Sequence, residues 1–135
     1  MKKILNRRGE GYVDMCVGVI VFVMILVIAI NIFAFITLRV EMDQIADELI
    51  ECATYNGSFG TQYTQRSAQL KEQYFDFTPS YGADKYYNAA YHRVQLGNTM
   101  YVTVTVKTDI RGLGVFKIPV TLTVTRSGLS QRYWK

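Results

Sequence analysis

The sequence predicts a membrane-anchored α+β protein, in which a long N-terminal transmembrane helix extends into a small antiparallel β-sheet domain. Three observations carry this prediction. Residues 15–38 contain no charged side chain. Residues 38–52 repeat apolar side chains at spacings of four, three, four and three. Two stretches between residues 100 and 125 alternate apolar and polar side chains. The chain of 135 residues leaves room for one small folded domain.

Residues 1–9 form a short basic leader. It holds four of the 15 basic residues, and the remaining 15 − 4 = 11 balance the 11 acidic residues of the chain. The net charge of +4 therefore resides in the leader, and the rest of the chain is neutral. A basic patch that would track a phosphate backbone is not visible, so nucleic acid is not an expected partner.

Residues 15–38 predict a single membrane span. At about 1.5 Å per residue this helix is about 36 Å long, which is enough to cross a hydrocarbon core of about 30 Å. It is longer than the apolar region of a secretory signal, and no A-x-A site follows it. Four basic residues precede the span, whereas Arg39 is the only one in the 26 residues after it. The positive-inside rule then places the N-terminus in the cytoplasm and residues 39–135 outside the cell membrane.

Residues 39–55 predict an amphipathic continuation of the same helix, so that the N-terminal helix covers residues 10–55. One narrow apolar stripe runs along it, formed by Leu38, Met42, Ile45, Leu49 and Cys52. The helix ends at Asn56-Gly57. We expect this stripe, with Met42, Ile45 and Leu49 at its centre, to cover one face of a sheet. Within the span, Asn31 either hydrogen-bonds across helices or is merely tolerated.

Residues 56–135 predict an extracytoplasmic domain with an antiparallel sheet. After a loop and a short helix near residues 63–74, Phe75–Phe77 is expected to open a strand that ends within residues 78–82. Gly97-Asn98 is a two-residue hairpin signal. Residues 100–107 and 116–125 alternate with period two, which is typical of half-buried strands. Pro119 places the last strand at an edge or at a bulge.

The chain lacks the residue groups of a catalytic or metal site. His92 is the only histidine, and it precedes a predicted strand. Cys16 and Cys52 would lie about 54 Å apart on one helix, too far for a disulfide. The acidic residues between 41 and 51 form a helix face that we expect to be solvated, because no oxygen-ligand loop accompanies them. We therefore expect no enzyme activity, no metal site and no cofactor.

The segment before the span carries a more specific pattern. Arg8-Gly9 is followed by Val13-Asp14 and then at once by the apolar run. A carboxylate at the edge of a membrane is costly unless it is neutralised or paired, although a position near a helix N-terminus favours it. The simple alternative is that Asp14 lies among the lipid headgroups without a role.

This pattern resembles the processing signal of type IV pilin-like proteins. It is most similar to the TadE-like pseudopilins of tight-adherence (Tad) pilus systems, whose motif has Arg-Gly, small residues, Val-Glu and then an apolar run. The resemblance covers residues 1–55, and beyond them only the layout of a long helix followed by a sheet is shared. Two departures are the Asp at position 14 instead of Glu, and Glu10 at a position where small or apolar residues are commoner.

The resemblance implies that a membrane prepilin peptidase cuts between Gly9 and Glu10. Asp14 then becomes the fifth residue of the mature chain. A cut after Gly11 would instead place Cys16 fifth and lose the acid. The implied partners are membrane lipid, the peptidase and other pilin-like subunits, in homo- or hetero-oligomers.

Cleavage would create an ammonium at the start of an apolar helix, and helices that bundle away from water cannot leave it unpaired. A neighbour's Asp14 can pair with it and so set the stagger of a helical filament. We therefore expect a pseudopilin or minor pilin, found in the membrane and after assembly in a pilus-like or secretion apparatus. The alternative is an unprocessed single-pass membrane protein with an extracytoplasmic binding domain.

Overall fold

The computed structural model describes residues 7–112 and 116–135, with side chains for residues 11–110 and 117–135. Residues 1–6 of the leader and residues 113–115 between the last two strands lie outside the described residues. The described chain forms two α-helices, three strands and a short 3-10 helix. In chain order these are α1 (Arg7–Asn56), α2 (Thr61–Gln73), β1 (Thr78–Ala83), the 3-10 helix (Ala89–Tyr91), β2 (Thr99–Gly112) and β3 (Phe116–Leu129).

Helix α1 is one continuous helix of 50 residues, about 75 Å long. It contains no proline, and its glycines lie near the start, where they do not interrupt it. It is long and apolar enough to cross a membrane, and none of its most apolar 18-residue window is buried in the fold. The predicted fold class is confirmed: a long apolar N-terminal helix leads into a small antiparallel sheet.

The sheet has the strand order β1-β2-β3, and both pairings are antiparallel. The register pairs Val104 with Val124 and Val106 with Leu122, so apolar side chains of both strands share the inner face. Threonines fill much of the outer face, where Thr103 and Thr125 share a hydrogen bond of 2.9 Å between their hydroxyls. β3 is an edge strand, which agrees with the prediction from Pro119.

The core lies between the C-terminal half of α1 and the inner face of the sheet. Met42, Ile45 and Leu49 are completely buried there, together with Val102 and Val104 of β2. Helix α2 closes another side of the core through the completely buried Leu70. The apolar stripe on α1 therefore packs on the sheet as its spacing predicted.

The prediction for the first strand was wrong in its bounds. β1 covers Thr78–Ala83, the residues expected to end the strand, and Phe75–Phe77 precede it. Pro79 lies within the strand opposite Val104. An edge strand tolerates this proline, because one side of the strand has no neighbour to receive an N–H. Phe77 is buried beside the strand instead of within it.

The predicted hairpin at Gly97-Asn98 was also wrong. Those residues do form a turn, in which the Asn98 N–H donates to the Gln95 carbonyl at 3.1 Å and Gly97 has a φ of 82°. However, the preceding residues form no strand. The Val94 N–H donates to the Gly57 carbonyl at 2.8 Å, at the end of α1. His92 is not next to a strand either, because it caps the 3-10 helix with a φ of 48°.

The C-terminal tail docks beside the end of α1. The Trp134 indole N–H donates to the Gly57 carbonyl at 3.2 Å. The Trp134 backbone exchanges two hydrogen bonds with the Gln95 side chain, at 2.7 and 3.0 Å. The Arg93 guanidinium lies 4.4 Å from the centre of the indole ring. The tail thus ties residues 93–95 to the helix end.

Candidate assembly surface

The N-terminal half of α1 exposes a continuous apolar surface. Every residue from 11 to 26 is exposed. The larger apolar side chains on it include Val13, Val17, Ile20, Phe22, Ile25, Ile28 and Phe33, all at least half exposed. A surface of this size on a folded protein indicates contact with lipid or with other protein. The rest of the fold leaves this half of α1 available for either.

Asp14 is the only charged residue between positions 11 and 38. Its side chain is exposed, and it forms no ion pair with any side chain that the structure describes. Helix α1 begins at Arg7, which places Asp14 two turns into the helix. The expected support from the helix N-terminus is therefore absent in the uncut chain, because the dipole acts within the first turn. A helix that begins at Glu10 would bring Asp14 closer to that terminus.

Gly9 and Glu10, the predicted processing site, lie in the helical backbone of α1. The side chain of Glu10 is outside the described set. Gly9 lies directly before the peptide bond that would be cut, and Gly11 follows Glu10. Each glycine lowers helix stability by about 1 kcal/mol relative to alanine. This segment of α1 is therefore easier to unwind than the apolar run that follows.

Asn31 satisfies its amide within its own helix. Its side-chain nitrogen donates to the Val27 carbonyl at 2.7 Å. Thr37 does the same, with its hydroxyl donating to the Phe33 carbonyl at 3.0 Å. Asn31 is only half-exposed, because it lines a small cavity against the end of the β2–β3 hairpin. The structure thus places Asn31 at the boundary between the free half of α1 and the folded domain.

The C-terminal half of α1 is fixed to the sheet by ion pairs as well as by its buried stripe. Arg126 of β3 donates to Asp43 at 3.0 Å and to Asp47 at 2.7 Å. Arg66 of α2 pairs with Glu48. The acidic face that was expected to be solvated is partly exposed, and three of its acids also form these ion pairs. Each pair is partly exposed and contributes at most about 1 kcal/mol, so the ion pairs orient the helix more than they stabilise it.

Arg126 was not predicted to contact α1, although the sequence contains a signal for it. The inner-face positions of β3 hold Ile118, Val120, Leu122 and Val124, and the next position in this alternation is Arg126. A single arginine at the end of an apolar face needs an acidic partner across the interface. The carboxylates of α1 were the available partners.

The remaining polar groups include two cysteines and one histidine. No group of three or more His, Cys, Asp or Glu residues that could hold a metal ion is found there. Both cysteines are free. Burial raises the pKa of the Cys52 thiol, partly opposed by the Asn56 amide, which lies 3.6 Å from the sulfur. His92 contacts Tyr81 and Tyr86 edge-on, in an aromatic cluster.

Comparison with known proteins finds one family. Residues 19–135 match the model of a domain of unknown function, DUF4320. No curated protein and no solved structure matches the chain. The match begins at Val19 and so includes most of the apolar run and the whole folded domain. The segment from Gly9 to Asp14 lies before it.

Proposed function

We propose that this chain, which belongs to the DUF4320 family, is a pseudopilin or minor pilin. In this proposal it is inserted with its N-terminus in the cytoplasm and its sheet domain outside. A prepilin peptidase cuts between Gly9 and Glu10. The mature chain then assembles through α1 into a pilus-like or secretion apparatus. The resemblance of Arg8–Asp14 to the TadE-like processing signal supports this assignment.

The observation that carries the proposal is the division of α1 into two halves. Its C-terminal half supplies Met42, Ile45 and Leu49 to the core of the domain. Its N-terminal half is apolar and contributes nothing to that core until Phe35. Such a helix can contact lipid before assembly and neighbouring helices afterwards, without any change in the folded domain. A subunit that moves from a membrane into a filament needs this independence.

The charge on Asp14 provides the specificity of the proposed assembly. Cleavage after Gly9 leaves an ammonium on Glu10, four residues before Asp14 in the sequence. An ammonium without a partner costs several kcal/mol once water is excluded. The Asp14 carboxylate of a neighbouring subunit removes this cost, and the four-residue offset corresponds to an axial step of about 6 Å along the helix. A repeated contact of this heterologous kind builds a filament.

Substitution of Asp14 tests this role. We expect the Asp14→Ala chain to insert into the membrane normally but to enter assembled material at least about tenfold less, because the new ammonium loses its partner. Asp14→Glu keeps the carboxylate and should retain most of the assembly. Asp84→Ala, which removes an exposed carboxylate from the outer domain instead, is the matched control. The measurement is the ratio of assembled to membrane-bound chain on immunoblots.

Equal incorporation of the Asp14→Ala and wild-type chains would contradict the charge-pairing role. If the chain also stayed at full length and never left the membrane fraction, the alternative function would be favoured. That alternative is a single-pass membrane protein whose outer domain binds a ligand.

A further inference from the structure

The β2–β3 hairpin extends along α1 towards the apolar half of the helix. At the end of β3 that is farthest from the hairpin turn, a Cβ added at Gly128 would lie 2.8 Å from the Thr54 methyl group. Further along the same strand, Arg39 donates to the Thr123 carbonyl at 3.3 Å. The second contact therefore lies closer than the first to the N-terminus of β3 and also to the N-terminus of α1. β3 and α1 therefore run side by side in the same direction.

Residues 108–110 of the hairpin reach the level of Asn31, and two further ladder pairs, Arg111–Lys117 and Gly112–Phe116, lie beyond them. A cavity of about 80 Å³ separates the two elements there, and its walls are Asn31, Ala34, Phe35, Leu38, Thr108, Asp109 and Ile110. Ile110 is paired with Ile118 of β3. The lengths agree, since residues 31–54 correspond to about 35 Å of helix and residues 118–128 to about 33 Å of strand. Ile118 therefore lies at the same height as Asn31.

This height lies in the outer part of the proposed membrane span, seven residues or about 10 Å inside Leu38. A hydrocarbon core of about 30 Å corresponds to about 20 helical residues. If the core begins at Met15 it ends near Phe35, and if it begins at Tyr12 it ends near Ile32. In both cases Asn31 lies within the outermost part of the hydrocarbon. The hairpin end beside it must then lie in or just below the headgroup layer.

The side chains at this end suit such a position. Ile118 is 59% exposed although it continues the apolar inner face of the sheet. Lys107 and Lys117 are exposed on the opposite, outer face of the sheet, and their long stems let the ammonium groups rise to the level of lipid phosphates. Asp109 is the only acidic residue among the described side chains from 107 to 119.

We propose that the hairpin end, defined as residues 107–110 and 117–119, docks in the headgroup layer of the outer leaflet. Ile118 contacts the top of the acyl chains, while Lys107 and Lys117 bind lipid phosphates. The outer domain then has a second membrane contact beside α1, which fixes its tilt and its rotation about the helix. This inference rests on the membrane insertion proposed above, and it is independent of cleavage and assembly.

Depth-dependent fluorescence quenching tests the docking. The full chain, with Cys16→Ala and Cys52→Ala, receives a single Ile118→Cys substitution that carries an environment-sensitive fluorophore. It is placed in vesicles of phosphatidylcholine and phosphatidylglycerol that contain lipids with a nitroxide near the headgroup or, for the probe at position 25, deep in the acyl chain. Ser127→Cys is the matched control, because it is exposed on the same strand at the end farthest from the hairpin turn. Lys117→Cys is a second probe of the hairpin end, and Ile25→Cys reports insertion of α1.

We expect the probes at positions 118 and 117 to be quenched several-fold more than the probe at 127. The Lys107→Glu variant should lose part of this quenching in anionic vesicles. If the probe at 25 is quenched but those at 118 and 127 behave alike, the docking is overturned and the membrane function stands. If the probe at 25 is not quenched, both proposals fail. Disulfide-linked dimers of the unlabelled Ile118→Cys chain under oxidation, without lipid quenching of the labelled chain, would assign this surface to a second copy and overturn the docking.

Discussion

Tyr63 combines burial with an unused polar group. Its side chain is 4% exposed, and its hydroxyl has no hydrogen-bond partner among the residues that the structure describes. The ring contacts Phe59 and Tyr81 edge-on, each at 5.4 Å between ring centres. Burial raises the pKa of the Tyr63 phenol well above its ordinary value, and the neighbouring Tyr81 adds to this. The ring contributes packing, while the hydroxyl is a cost to the fold.

Tyr63→Phe should therefore stabilise the domain. A buried hydroxyl without a partner costs about 1–3 kcal/mol, so we expect the free energy of unfolding to rise by about 1 kcal/mol. Tyr55→Phe, at a residue that is 74% exposed, should change nothing. Chemical denaturation in detergent, followed by the fluorescence of Trp134, measures both. A loss of stability in Tyr63→Phe would mean that the hydroxyl is bonded after all.

The same variant should change how the free energy of unfolding depends on pH above about pH 10. The unfolded Tyr63 phenol loses its proton near pH 10, whereas the folded one holds it to a higher pH. The folded state's preference for the neutral phenol contributes fully to the free energy of unfolding below about pH 10. This contribution is lost as the pH rises towards the pKa of the folded Tyr63. We expect wild-type stability to fall above pH 10 and Tyr63→Phe to fall less steeply. Parallel curves for the two proteins would contradict the raised pKa.

The contact between α1 and β3 depends on a glycine. A Cβ at Gly128 would meet the Thr54 methyl group at 2.8 Å and an Ile50 side-chain carbon at 3.5 Å. We expect Gly128→Ala to destabilise the domain by about 1–3 kcal/mol, because both neighbours are β-branched and cannot move freely. Ser127→Ala, on the outer face, is the control.

A second substitution makes this prediction specific. Thr54→Ser removes the methyl group that the new Cβ would meet, so the double variant should recover much of the lost stability in the same denaturation experiment. A double variant no more stable than Gly128→Ala alone would show that the close approach is not the cause.

Elements with a long repeating pattern were predictable from the sequence. The charge-free run of residues 15–38 and the alternation in residues 100–107 and 116–125 each extend over enough positions to define a helix or a strand. The stripe through Met42, Ile45 and Leu49 identified the helix face that packs on the sheet. In these segments the local pattern and the tertiary contacts favour the same structure.

Elements that depend on distant partners were not predictable. The path of residues 84–98 follows bonds to the end of α1, such as that between the Val94 N–H and the Gly57 carbonyl. Val94 and Leu96 before Gly97 have the alternation of a strand, but no strand that the structure describes pairs with them. The bond of Asn31 within its own helix, and its position beside Ile110, likewise required the structure. Gly9, Glu10 and Asp14 are candidates from the sequence alone, and the structure adds the exposure of Asp14.

The whole molecule is built around α1, which belongs to the folded domain and to the free apolar surface at once. Residues 56–135 number about 80, which is marginal for an independent core. The helix supplies completely buried side chains from Met42 to Ala53. The domain should therefore need the C-terminal half of α1 but not the N-terminal half.

Truncation tests this division. We expect a chain of residues 39–135 to fold with native Trp134 fluorescence and cooperative unfolding, and a chain of residues 56–135 to remain largely unfolded. Circular dichroism of the two purified chains distinguishes them. Cooperative folding of residues 56–135 alone would contradict the view that α1 is part of the core.

The most direct test of the account is the N-terminal sequence of the mature protein, isolated from cells that contain the peptidase. We expect a chain that begins at Glu10, so that Asp14 is the fifth residue. Gly9→Val should block this cleavage, whereas Gly11→Ala should leave it intact. A native chain that still begins at Met1, or one that begins at Tyr12, would contradict the proposed pairing between the new amine and Asp14.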